Sequence, residues 1–321
     1  MSNKYSRNKM AKICYLYYKQ SLTQREIAKY FGVSSNTISR ILDEAKKNNI
    51  IKFDIDYKFP RNSKLEKIAE KIYSSISFVI LQDNFLREVN SEKMKKHKYL
   101  GEAGAYYLPT ILDQKDRMLG VTGGRTLAKL ARSLEEGTIK HVNNIIQVTG
   151  GEFESGYEKN STTVLQLICE KLDKTGFYFH APAYIPPDRG GNSIFSQHKE
   201  KIRDKWRRLD LVLVGIGSFS KNSTTLTSGL FSKETIKELS SKGAIGEIGL
   251  HFFNKDGNLV SSKVDSGVQG IEWERLKKIP KVIAIAGGSE KGDAIKGAIN
   301  SNSIDVLITL ESNIKSLINI D

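Results

Sequence analysis

Beyond residue 75 the chain alternates short runs of aliphatic and β-branched residues, at 78–81, 118–121, 144–148, 211–214, 282–286 and 304–309, with amphipathic stretches between most of them. Strand, helix, strand in repetition is the pattern of a parallel sheet whose faces are both covered by helices. Residues 76–321 are therefore expected to form a Rossmann-like α/β domain. Four runs end in glycine: Gly123-Gly124 before Arg125-Thr126, Gly150-Gly151, Gly215-Ile216-Gly217, and Gly287-Gly288 before Lys291. In an open α/β sheet, ligands bind outside the carboxyl ends of the strands. Glycine there lets the backbone approach a ligand, and helix N-termini attract anions such as phosphate. Gly123, Gly124, Arg125, Thr126, Gly151, Gly215, Gly217, Gly288 and Lys291 are the resulting candidates for holding a small anion. Tight turns also use glycine for steric reasons alone, and none of the four loops fits the nucleotide P-loop or the dinucleotide fingerprint.

Residues 1–57 carry a different pattern. Met10, Ile13, Cys14 and Tyr17 recur at helical spacing and predict a first helix over 7–20. Thr23 followed by Glu26 is a capping box that opens a second helix, to about Tyr30. Gly32 supplies the positive φ of a sharp turn, and Ser34 caps a third helix reaching about Lys47. Ala28 is small where the helices cross, and Ile27, Val33, Ile38, Ile41 and Leu42 lie beneath them, which is helix-turn-helix spacing. The third helix opens with short polar side chains and then Arg40, groups suited to base edges and phosphates. Thr23, Gln24, Ser34, Ser35, Asn36, Thr37, Ser39 and Arg40 form the candidate surface for double-stranded DNA, flanked by Lys46, Lys47 and Lys52. Alternation over 50–56 predicts a β-wing, and Leu65, Ile68, Ala69 and Ile72 predict a linker helix within 58–75. The lysine-rich 93–98 reads as a solvated loop, and 203–208 as the end of a surface helix with Trp206 partly buried.

The net charge of +14 suits a polyanionic partner, and residues 1–57 hold eleven basic against five acidic residues. Cys14 and Cys169 sit far apart in apolar settings, as reduced core thiols do. The N-terminus lacks the apolar run of a signal peptide, and no uninterrupted apolar run reaches membrane-spanning length. The expected location is the cytoplasm. His97, His141, His180, His198 and His251 lack zinc-ligand spacing, and no metal or cofactor is expected.

Taken together, Leu22-Thr23-Gln24-Arg25-Glu26-Ile27-Ala28 through Thr37-Ile38-Ser39-Arg40, Leu119-Gly120-Val121-Thr122-Gly123-Gly124-Arg125-Thr126, Ala181-Pro182-Ala183, Gly243-Ala244-Ile245-Gly246-Glu247-Ile248 and Ile285-Ala286-Gly287-Gly288 resemble the SorC family of bacterial sugar-responsive transcription regulators. The resemblance implies a winged or helix-turn-helix head and a body related to sugar-phosphate isomerases and glucosamine-phosphate deaminases. It also implies a dimer or tetramer whose affinity for an operator is altered by a sugar phosphate. By the same resemblance Gly124, Arg125 and Thr126 would cradle phosphate, Glu247 would bond sugar hydroxyls, and Lys291 would add positive charge. Thr309-Leu310-Glu311 and Asp265-Ser266-Gly267-Val268 depart from the family pattern, and leucine cannot bond a hydroxyl, so a changed effector such as an organic acid is also open. The competing reading is a working isomerase or deaminase, with Glu247 or His180 as general base. For the head, Arg40→Ala is expected to weaken operator binding by about 1–3 kcal/mol, read in a titration at fixed salt.

Overall fold

The computed structural model describes residues 5–52, 58–83, 92–151, 160–187, 192–220 and 223–320. The chain divides into two compact units, Met1–Lys58 and Phe59–Asp321.

In the first unit, helices α1 (Arg7–Tyr18), α2 (Gln24–Phe31) and α3 (Ser35–Lys47) enclose Met10, Ile13, Ile27, Ala28, Ile38, Ile41, Leu42 and Ala45. Their boundaries follow from caps. Thr23 and Glu26 complete the capping box, Gly32 ends α2 at φ 64°, and the Ser34 hydroxyl accepts the Thr37 N–H. The β-wing expected over 50–56 falls largely on 53–57, outside the described residues.

The second unit contains ten strands among its described residues: β1 (Ser77–Leu81), β2 (Met118–Val121), β3 (Asn144–Gln147), β4 (Thr175–Phe177), β5 (Leu211–Gly215), β6 (Gly217–Ser218), β7 (Gly246–Ile248), β8 (His251–Phe253), β9 (Lys281–Ile285) and β10 (Val306–Leu310). Seven form one sheet in the order β1-β10-β9-β5-β2-β3-β4, parallel throughout. The short β6, β7 and β8 form a separate antiparallel sheet.

The period-2 alternation of a strand feeds two cores. Leu211 and Leu213 of β5 join one, under α5 (Glu92–Ile111), α6 (Arg125–Ser133) and α7 (Ser161–Leu172). Val212 and Val214 join the other, beside α4 (Ser63–Ile72), α8 (Asn192–Trp206), α13 (Gly292–Asn300) and α14 (Glu311–Leu317). The remaining helices, α9 (Thr224–Thr227), α10 (Lys233–Ser241), α11 (Lys263–Gly267) and α12 (Trp273–Leu276), are shorter connections.

The helix expected within 58–75 is α4, which belongs to the second unit. Arg61 pairs with Glu66 through two hydrogen bonds of 2.7 and 2.9 Å, while Glu66 also accepts the Ile80 N–H at 2.8 Å. Two other segments differ from their sequence-based reading. The lysine-rich loop is instead the start of α5, which turns His97 inward to 7% exposure. Trp206 is fully buried, since its indole N–H finds an acceptor inside, the Gln147 carbonyl at 2.9 Å. Both cysteines are free, and burial pushes the Cys169 thiol up to about 11.

Helices α5 and α6 pack almost backbone to backbone. A Cβ on Gly101 would lie 2.5 Å from Lys129 Cβ and 2.8 Å from both the Thr126 carbonyl and the Leu130 nitrogen. Backbone cannot yield as a side chain can. Gly101→Ala is therefore expected to lower stability by about 1–3 kcal/mol through overpacking, as a shift in urea midpoint at unchanged slope.

Candidate functional site

From β2 the chain proceeds outward through β3 to β4, and then returns to place β5 on the other side of β2. The crevice beyond the carboxyl ends of β2 and β5 is where a doubly wound sheet has room for a ligand. A cleft with about 1030 Å³ of non-protein space, open to solvent, lies there. Gly123 to Leu127 from the β2–α6 turn and Gly215 to Ser218 from β5 and β6 line it, with Glu247 of β7 and Lys291 on the remaining sides.

The start of α6 is the part of the lining suited to an anion. Gly124 is its N-cap at φ 129°, ψ 154°, a conformation essentially confined to glycine, and no side chain caps the helix. Its first-turn N–H groups therefore depend on water or a ligand for acceptors, at the positive end of the helix dipole. No acidic residue lies in that turn. Arg125 is half-buried at the first helical position, and the hydroxyl of Thr126 is 2.9 Å from His97 Nδ1.

On the opposite wall, Lys291 Nζ donates to the Ile216 carbonyl at 2.6 Å. This ties the turn after β9 to the glycine pair after β5. Glu247 lies over Gly217, where a Cβ would come within 2.1 Å of its Oε1. Thr225 donates to Oε1 at 3.0 Å and the Leu250 N–H to Oε2 at 2.9 Å, so the carboxylate is fixed before any ligand arrives.

Eight of the ten proposed ligand residues line this one cleft: Gly123, Gly124, Arg125, Thr126, Gly215, Gly217, Glu247 and Lys291. Two do not. Gly151 lines a neighbouring pocket with Asn160, Phe179 and His180. Gly288 stands behind the wall, its N–H and carbonyl both held at 2.9 Å by the buried Asn313 amide. That clamp holds Gly288 at φ 123° and so aims the turn carrying Lys291.

The two departures noted in the sequence also lie outside the cleft lining. Leu310 is fully buried beneath Gly287, and Gly267 packs on Tyr184 and the Ile185 carbonyl. Leu310 itself contributes no surface to the cleft. Sequence reasoning missed His97, Thr149, Ser218, Ser220 and Thr225, all of which line it. Continuing the period of Leu100 and Ala103 backward along α5 would have placed His97 on a buried face.

In the first unit the proposed DNA surface sorts by exposure. Asn36 and Arg40 are exposed on α3, and Gln24, Ser35, Thr37 and Ser39 are half-buried. Thr23 and Ser34 are engaged as helix caps. Their hydroxyls hold the helix ends that present the others.

A helix-turn-helix followed along the chain by an α/β domain with an open cleft is the construction of an effector-responsive transcription regulator. Residues 58–319 match the family described as "Putative sugar-binding domain", and residues 9–48 match "Sigma-70, region 4". The chain belongs to this sugar-binding-domain family and, within it, to the SorC-type DNA-binding transcriptional regulators. It is 29% identical to the sorbitol operon regulator of Klebsiella pneumoniae over 94% of each chain, and 26% identical to the deoxyribonucleoside regulator of Bacillus subtilis (strain 168) over 95% of each. The crystal structure of the full-length sorbitol operon regulator SorC from Klebsiella pneumoniae superposes with a TM-score of 0.71 at 25% identity, covering 97% of this chain and 98% of that one.

The two cleft glycines Gly124 and Gly215 should respond differently to the same change. Gly124→Ala forces a Gly-only backbone conformation and is expected to cost about 1–3 kcal/mol. Gly215→Ala places a methyl that meets nothing within 4 Å, and should leave the thermal midpoint unchanged. Paired melts of the two variants check this.

Proposed function

We propose that this regulator binds a small phosphorylated sugar in the cleft beyond β2 and β5, and that occupancy sets its affinity for an operator in carbohydrate metabolism. The observation that carries the reading is the uncapped N-terminus of α6, formed by Gly124, Arg125 and Thr126, facing a wall that holds Lys291 and Glu247. The first supplies N–H donors and positive potential for a phosphate. Glu247 supplies fixed acceptors for hydroxyl groups. Relatives named as regulators of the sorbitol operon, of deoxyribonucleosides and of erythritol catabolism support a sugar or polyol skeleton.

Asn36, Arg40, Ser35 and Ser39 would read base edges, while Gln24, Thr37, Thr23 and Ser34 stand near phosphates at the helix ends. A homodimer or homotetramer in the cytoplasm suits a palindromic operator. No helix among the described residues is long and apolar enough to cross a membrane.

The enzymatic alternative draws less support. Both oxygens of Glu247 already accept hydrogen bonds, and His180 lines the neighbouring pocket rather than the cleft. A general base needs reach to the proton that it removes.

The test is a thermal-shift screen of the purified chain over sugar phosphates, the parent sugars and small organic acids. A sugar phosphate at 100 times its Kd should stabilise by about 2.7 kcal/mol. The same compound should change operator affinity in a binding titration, and Arg125→Ala or Lys291→Ala should abolish that response while leaving DNA binding intact. Normal responses from both variants would place the ligand elsewhere. Turnover of the sugar phosphate would make the chain an enzyme.

A further inference from the structure

Helix α3 buries Ile38, Ile41, Leu42 and Ala45. At 100° per residue, the stripe opposite that buried face is Asn36, Arg40, Asp43 and Lys47, and all four are exposed. An acidic residue thus sits in the middle of the surface that the helix-turn-helix presents. Folding does not account for it: the Asp43 side chain is 64% exposed and pairs with Lys46, 3.7 Å away and itself 48% exposed. Such pairs contribute little to stability.

Against a polyanion, a carboxylate on this stripe weakens binding wherever it meets phosphate. It gains only where it meets a hydrogen-bond donor. In the major groove the donors are the amino groups of cytosine and adenine. Adenine carries its N7 acceptor on the same base edge as that amino group, which repels the second carboxylate oxygen, whereas the major-groove edge of cytosine itself carries only the N4 donor.

Arg40 lies three residues away on the same stripe, about 4.5 Å along the helix axis. That is roughly one base-pair step, and the preferred partner of an arginine fork is guanine O6 and N7.

We infer that Asp43 is a specificity-determining residue that selects cytosine in the base pair next to a guanine read by Arg40, and that it acts mainly by rejecting sequences without that amino group. The inference rests on α3 being the DNA-reading helix. Asp43 makes binding to random DNA weaker and binding to the right step selective.

The experiment is selection from a pool of duplexes randomised over the site, with the full chain as wild type, Asp43→Ala and Asp43→Asn. Binding to one random-sequence duplex is measured in parallel at fixed salt. The wild type should enrich a cytosine next to a guanine. Asp43→Ala should lose the cytosine preference by roughly tenfold, while binding the random duplex at least as tightly. Asp43→Asn should move the preference to adenine, whose donor and acceptor match an amide.

Because the side chain is exposed, circular dichroism of all three proteins should coincide. An Asp43→Ala protein that keeps the cytosine preference overturns the inference and leaves Asp43 as a solvated partner of Lys46. If the wild type enriches a sequence without that cytosine, the inference fails while the role of α3 stands. No enrichment at all overturns the role of α3, and the inference with it.

Discussion

A sheet that is parallel throughout imposes two conditions on its chain. Both faces must be covered, because every crossover returns over one of them, and every strand delivers its carboxyl end to the same rim. The seven-stranded sheet meets the first condition with two cores that take alternate residues of the same strands, as Leu213 and Val214 of β5 do. The second condition gathers the glycine turns after β2, β5 and β9 at one edge, although they are far apart in sequence. The crevice opens where the winding reverses, between β2 and β5. The start of α6 lines that crevice without a side-chain cap.

The helix paired with α6 ties this rim to the beginning of the second unit. His97 of α5 meets the Thr126 hydroxyl, one turn before Gly101 brings the two backbones together. On the same helix, the Tyr99 hydroxyl donates to the Gln82 carbonyl at 3.0 Å and that of Tyr107 to the Phe59 carbonyl at 2.6 Å. Phe59 is the first residue of the unit, so the start of the unit is held by the helix that packs on α6. With no side chain between them at Gly101, α5 and α6 have little freedom to slide past one another.

Much of the fold was legible because it rests on local chemistry. The caps at Thr23 and Ser34 and the turn at Gly32 set helix ends through hydrogen bonds to neighbours three residues away. The six hydrophobic runs appear as strands β1, β2, β3, β5, β9 and β10 with ends shifted by a residue or two. What escaped was short or depended on distant partners. Strand β4 has three residues, and β6, β7 and β8 have two or three each, too few for an alternating pattern to register. A polar, lysine-rich run concealed the start of α5, since its helix is held by packing of His97 and Leu100 rather than by composition.

The sequence by itself determined the helix-turn-helix, the parallel α/β character of the body and the glycine loops, because each is written in residues close together along the chain. Only the tertiary structure decided which loops share one cleft. It joined Gly124 to Gly215, set Glu247 over Gly217, and tied Lys291 to Ile216. It also sent Gly151 to another pocket and put Gly288 behind the wall under Asn313. Strand order governs that sorting, and strand order arises from how the crossovers pack, which no local pattern records.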